Sequence, residues 1–574
     1  MTQPCDLNRR LWRVEDALAA PPQVNRRQFL QRIGLTAAGL TCADFLSYFA
    51  NFGLPHDRRA FALAADADKA HRDPHFLIYW FVEGGWMGYS MFNPLHTANN
   101  VHKRLVNPSH ERYRVRQFGQ PDYGIYQQGQ IQYGYLAEPG KEFFPEMAII
   151  SSMHTGRSHS RQRLRAHMGN YTFRPQDDRE EDERSVLQAF SEVYGQPYAL
   201  PHLSWHWWLS DGELNEVQYT GRKGYYHALG PVHAHTIYGG TPSRLKRLLG
   251  EIAMASGDVV NGEVQKFLDD PEQFILKDKN IEAVKSYHSA RQIYLQLAAA
   301  GRRVDRNVVE NLFSDPALKE EFEVNKRDEL LTYRSVNGNK ARTKFSPNVN
   351  VQAMMAYELL RAGLSCAFWI ETRDVRRFDS HRARGTLWQS GNPVGQTDQT
   401  GMMKEDLWNP LKRLVKRLKN TPCGQDGGSL YDRTTIVLTS EFGRSIHGNV
   451  DEVLKSDLAD NKKEEKINSQ DISQHWKVTS AAFLGGKVLG NSQYGGVGTK
   501  TLEAIPLLPS GAMDPAFDPN TGELRPGAEK DPKSSIPDHG DIYATALYLA
   551  GINPKGKGRN ERGPLKYVTN RRWF

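Results

Sequence analysis

The chain predicts an α/β fold with a mostly parallel sheet and a helical insertion, on three observations. The first is a set of unbroken apolar runs of strand length, His75-Phe76-Leu77-Ile78-Tyr79-Trp80-Phe81-Val82, Ser365-Cys366-Ala367-Phe368-Trp369-Ile370 and Thr434-Thr435-Ile436-Val437-Leu438-Thr439-Ser440. Runs without polar alternation fit strands covered on both faces, as in parallel sheets. The second is that helical patterns near 348–363 and 404–419 each precede such a run, giving the strand–helix–strand alternation of a parallel sheet. The third is a change to helical periodicity from 243 to 334, with amphipathic segments near 243–256, 259–268, 280–300 and 304–333, which reads as an insertion or cap.

Composition bounds the class. Of 574 residues, 39% are hydrophobic and 24% charged, close to a soluble globular average, which argues against a polytopic membrane protein and against a disordered chain. The net charge of +8 is spread along the chain without zinc-finger spacing, an RNA-binding signature or a long basic block, which argues against nucleic acid as a partner.

The N-terminus is more specific. Asn25-Arg26-Arg27-Gln28-Phe29-Leu30 precedes an apolar run from Ile33 to Phe49, the pattern of a twin-arginine export signal. Ala62-Leu63-Ala64 matches the A-x-A cleavage pattern, so residues 1–64 read as signal peptide and spacer and 65–574 as a single domain. A retained anchor and an ordinary helix opening with two arginines are the alternatives. Export implies the twin-arginine machinery as partner, a periplasmic or extracellular location, and contact with membrane only through the signal segment. Cys5 and Cys42 leave with the signal, and Cys42 lacks lipobox neighbours. Cys366 and Cys423 remain as a disulfide or as two free thiols.

The first mature strand ends in Glu83-Gly84-Gly85, whose glycines permit positive φ and close approach of backbone. Met147-Ala148-Ile149-Ile150 reads as the next strand and leads through Ser151–Gly156 into a helix starting near Ser158. On that helix His159, Arg163 and His167 recur at i, i+4 and i+8, beside a stripe of Arg161 and Arg165. A helix N-terminus with Ser and Thr hydroxyls and arginines suits an oxyanion, while a solvated basic helix is the plain alternative. Residues 201–240 hold Trp205, Trp207, Trp208, Tyr225, Tyr226 and several histidines, a set that stacks on sugars or simply packs a core. Residues 449–470 read as a charged surface loop, followed by His475-Trp476, a strand at Val478–Leu484, a Gly/Pro-rich stretch from Gly485 to Pro537 and a helix from Asp541 to Ala550.

The chemistry gathers where strands end. Thr434–Ser440 stops in Glu441-Phe442-Gly443-Arg444, and ligands of open parallel sheets bind beyond the carboxyl ends of such strands. An ordinary surface glutamate is the alternative. Asp379 and His381, Glu441 and His475 all follow strands or sit in adjacent loops, and carboxylate with imidazole is a transition-metal or zinc ligand set.

Glu83-Gly84-Gly85, Phe378-Asp379-Ser380-His381, Ser440-Glu441-Phe442-Gly443-Arg444, His475-Trp476 and Asp541-Ile542-Tyr543-Ala544-Thr545 together resemble the domain-of-unknown-function 1501 family, which is exported, sulfatase-like and similar to the alkaline phosphatase superfamily. The resemblance spans most of residues 75–552. It implies a three-layer α/β/α core and a single metal site at Asp379, His381 and His475, for one divalent ion such as Zn, Mn, Mg or Ca. It further implies Glu441 as a ligand or general base, Ser158 as the nucleophile candidate beside Thr155 and Ser160, and Arg157, Arg161 and Arg444 facing an anion. The substrate implied is a phosphate or sulfate ester. This chain departs from the pattern at Ser90, Asn93 and Phe442, where relatives place ligands, and it lacks the Cys-x-Pro-x-Arg of sulfatases. A non-catalytic glycan- or protein-binding descendant of the same fold is therefore the competing expectation.

Overall fold

Seven strands form the central sheet of the computed structural model, which describes residues 75–94, 126–134, 136–157, 159–169, 185–195, 198–205, 241–255, 306–324, 348–372, 403–423, 428–444, 457–459, 462, 475–554 and 563–569. The export signal and most of the charged loop lie outside these residues, as do most of the 243–334 insertion and of the aromatic stretch 201–240. No helix among the described residues is long and apolar enough to cross a membrane.

In chain order, β1 (Phe76–Val82) is followed by a hairpin of β2 (Tyr126–Gln128) and β3 (Ile131–Tyr133), and then by β4 (Met147–His154). Helices α1 (His159–Met168) and α2 (Val186–Tyr194) lead to β5 (His202–Ser204). The insertion contributes α3 (Pro242–Ala255), α4 (Arg306–Asn311) and α5 (Pro316–Glu321). Next come α6 (Val349–Arg361), β6 (Ala367–Glu371), α7 (Asn409–Lys419), β7 (Thr434–Ser440) and the two-residue strands β8 (Gly443–Arg444) and β9 (His475–Trp476). β10 (Val478–Leu484), β11 (Ser492–Tyr494) and α8 (His539–Leu549) close the fold.

The sheet order is β11-β4-β10-β7-β1-β6-β5. β1 pairs parallel with β6 and β7, β5 with β6, and β11 with β4, whereas β10 runs antiparallel to both β4 and β7. The α/β, mostly parallel expectation therefore holds, with one reversed strand. β1, β6, β7 and β10 are buried at every residue, which explains their unbroken apolar character.

Local chemistry sets the helix boundaries. Asn348 caps α6 through Val351 N–H at 2.9 Å, and Asp315 caps α5. Asp538 and Asp541 form a reciprocal capping box on α8, so that helix starts two residues before the sequence reading placed it. On α7, Pro410, Leu411, Leu414, Val415 and Leu418 face inward while Arg413, Lys416 and Arg417 meet Glu321 and Glu323 of the insertion. Helices α1, α2 and α8 pack on one another and on β1, β6 and β7, and α6 packs on α7 and β6. Between sheet and helix a column of rings forms: Trp369 stacks on Tyr79 at 4.4 Å, and His167 of α1 stacks on Trp369 at 3.5 Å. Trp205 stacks on Phe368 within the core rather than on a ligand surface. Cys366 and Cys423 are both free thiols here, and Cys366 is buried against the Pro201 carbonyl at 3.0 Å.

Candidate functional site at the carboxyl edge of the sheet

Three neighbouring parallel strands end in glutamate. Glu371 closes β6, Glu83 follows β1 and Glu441 follows β7, and all three are at most 2% exposed. Arg163, 1% exposed on α1, reaches between them, its Nε bonded to Glu441 Oε1 and its Nη2 to Glu83 Oε1. Glu441 Oε2 accepts from Gly84 N–H at 2.8 Å, Glu83 N–H donates to Thr372 Oγ1 at 2.9 Å, and Glu371 Oε2 accepts from Trp369 Nε1 at 3.2 Å. Gln352 of α6 clamps the end of β6, accepting from Glu371 N–H and donating to Glu371 O, both at 3.0 Å.

Three carboxyls against one guanidinium leave excess negative charge in a dry site, and proton uptake is the way such a site relaxes. Burial pushes the Glu371 carboxyl up to about 8, opposed by Arg163 and reinforced by the Glu441 charge.

Beside this cluster lies a second layer. Arg444 is buried and donates Nε to the Gly84 carbonyl at 3.0 Å, so Gly84 is held at its N–H by Glu441 and at its carbonyl by Arg444. β8 pairs with β9, setting Arg444 opposite His475. The Phe442 ring stacks on His475 at 4.2 Å and lies under the Arg444 guanidinium at 5.3 Å. Gly85 has φ of +83°, and a Cβ there would stand 2.6 Å from the Phe442 ring. His475 Nδ1 lies 2.6 Å from the Arg157 carbonyl. A carbonyl only accepts, so Nδ1 carries a proton, and in the neutral ring the lone pair is on Nε2. His539, at the start of α8, donates from Nε2 to the Glu441 carbonyl at 3.2 Å, and burial lowers its basicity to about 4.

Of the residues picked out by sequence, the structure brings Glu441, His475 and Arg444 together, with the exposed Arg157 lending its carbonyl at the rim. Arg161 lies on α1. Ser158, Asp379 and His381 fall outside the described residues, as does the metal set that Asp379 and His381 share with His475. Among the described residues no group of three His, Cys, Asp or Glu side chains is placed to hold a metal ion. Thr155 directs its hydroxyl to the Gly156 and Lys477 carbonyls. The helix stripe containing Arg163 and His167 faces the protein interior, so for these two residues the cationic face is buried. Sequence reasoning passed over Glu83, Glu371, Arg163 and His539 as site residues. A signal was present in the repeated ending of an apolar strand in glutamate, at Val82-Glu83, Ile370-Glu371 and Ser440-Glu441.

Comparison with known protein families and with curated proteins finds no match. Among solved structures, the chain is similar to the lipoteichoic acid synthase LtaP from Listeria monocytogenes, at 10% identity and a TM-score of 0.33, over 87% of this chain and 77% of that one.

Proposed function

We propose that this is an exported protein with an alkaline-phosphatase-like core that acts on a phosphate or sulfate ester at the carboxyl edge of its sheet, using one divalent ion held by His475 with Asp379 and His381. The observation that carries the reading is the His475 imidazole, whose Nδ1–H is anchored on the Arg157 carbonyl, so that Nε2 would be the nitrogen to ligate an ion. Metal-binding histidines are oriented in this manner by a backbone acceptor. An ion bound there would polarise an ester oxygen and acidify water. The chain's own residues supply the frame: Arg157 is an exposed cation at the rim, and Arg444 and Glu441 fix the Gly84 peptide behind it. With Oε2 on Gly84 and Oε1 on Arg163, Glu441 acts as a positioning residue in this reading. Metal analysis of the exported fraction, with turnover of aryl phosphates and sulfates in added divalent ions, tests it. The expected result is a stoichiometric metal and an activity that His475→Ala and Asp379→Ala both remove. Protein that carries no Zn, Mn, Mg or Ca and turns over no ester would sink the proposal.

A second reading, a glycan- or protein-binding cell-envelope protein without catalysis, is favoured by Phe442. Its ring covers one face of His475, and Glu441 beside it is already ion-paired with Arg163. Turnover abolished by Asp379→Ala would exclude it.

A further inference from the structure

Phe313 and Glu323, on either side of α5, adopt the left-handed backbone conformation with φ of +57° and +54°. A residue with a side chain is strained there, and its surroundings must offset the cost. At each end one side chain of the α6–α7 layer supplies that offset. The buried Glu358 carboxylate of α6 accepts from Phe313 N–H. Arg413 of α7 pairs with the Glu323 carboxylate and donates to the Phe322 carbonyl at 3.5 Å and to Asn350 Oδ1 of α6 at 3.1 Å.

Between these two catches the corner made by α4 and α5 is held unevenly. Val309, Leu312, Phe313, Leu318 and Phe322 are buried, which favours the docked state. Against it, an open cavity of about 360 Å³ separates α4 from the end of α6, lined by Asn307, Val308, Asn311, Leu312, Arg361 and Ala362, and Val308 beside it is exposed. Packing is lost wherever a wall of such a cavity has no atoms opposite it. The pairs of Lys416 and Arg417 with Glu321 join partly exposed side chains and add little. With six residues each, α4 and α5 are too short to persist as helices away from a surface. Strained ends, polar catches and a void beneath place this segment among the parts of the fold that open before the sheet does.

We infer that residues 306–324 form a strap that leaves the α6–α7 layer as one cooperative unit while the sheet stays folded, with Glu358 and Arg413 as the catches at its two ends. Opening relieves both left-handed residues together and uncovers the apolar face by which the strap docks. The catches are coupled through α5, which is too short to stay helical once either end is released. The inference does not rest on the ester site.

Hydrogen exchange of the full chain, followed by mass spectrometry of peptides covering 306–314 and 315–324, tests it. Each peptide holds a bonded reporter amide next to one catch, Leu312 on the Val308 carbonyl at 3.1 Å and Val324 on the Lys319 carbonyl at 2.8 Å. In wild type the two peptides should share one level of protection, at least about a hundredfold below that of β1 and β7. Glu358→Ala should speed exchange about tenfold in both peptides, the far one included, and Arg413→Ala should do the same. Glu358→Gln, which keeps an acceptor for Phe313 N–H, should restore most of the protection. Unchanged exchange of β1 and β7 certifies that the variants are folded. An effect confined to the peptide beside the altered catch overturns the inference, since the two ends then fray separately. Wild-type protection of the strap equal to that of β1 and β7 also overturns it, because the segment then opens only with the whole molecule. Faster exchange of β1 and β7 in the variants overturns it as well, since the catches then hold the sheet rather than the strap.

Discussion

At the scale of single residues, Arg163 has the largest effect. It is the cation shared by Glu83 and Glu441, and removing one partner of a buried ion pair leaves the other charges uncompensated. Arg163→Met should destabilise the fold by about 3–5 kcal/mol, measured by denaturant unfolding, whereas an idle ion pair would give a change within about 0.5 kcal/mol. Two titrations carry opposite signs. The Glu371 carboxyl is raised to about 8, so its contribution to stability is full below the ordinary carboxyl range and is lost as the pH rises through about 8. Glu371→Gln, neutral throughout, should lose less stability than wild type between roughly pH 5 and pH 9 in parallel melts. His539 is lowered to about 4 from an ordinary 6.5, so its contribution is full above 6.5 and is lost as the pH falls through about 4. The acid limb of the stability curve should flatten in His539→Gln.

At the scale of elements, the turns that leave the strands matter most. Gly84 and Gly85 both have positive φ, and Gly85 also makes room for the Phe442 ring. Gly85→Ala combines strained backbone with a collision and should cost more than about 1 kcal/mol, with perturbed packing visible in the His475 ring resonances. Phe442→Ala, combined with it, should recover the part due to the collision and none of that due to φ. On α8 the capping box satisfies orphan N–H groups of the first turn. Asp538→Ala should cost about 0.5–2 kcal/mol by thermal melting, and a loss near zero would mean that water replaces the cap.

For the whole molecule, the sheet order places β7 and β1 at the centre and the three-residue strands β5 and β11 at the edges. Amide exchange should be slowest in β1, β7 and the adjoining β10 and β6, and fastest in the two edges, because central strands open only with the global fold. Much of this was legible beforehand. The apolar runs at 76–82, 434–440 and 478–484 became strands, and the patterns near 348–363 and 404–419 became α6 and α7, since an element buried on both faces or amphipathic over several turns announces itself locally. The short edge strands and the β8–β9 pair were not legible, because two or three residues carry no period. The reversed direction of β10 was hidden for a different reason: apolarity reports burial and is silent about which way a strand runs.

The same division holds for the candidate site. Sequence by itself determined that acids stand at the ends of buried strands, Glu441 among them, whereas His475 precedes β10 and reaches that edge because β10 runs antiparallel, which the tertiary structure decided. Only the tertiary structure decided what those acids do. Arg163 looked like one stripe of a basic helix, and its burial between Glu83 and Glu441 depends on how α1 crosses the sheet, a packing angle that no local pattern encodes. The proton on Nδ1 of His475 likewise follows from a contact with the Arg157 carbonyl made across a long stretch of chain, where shape rather than residue type sets the chemistry.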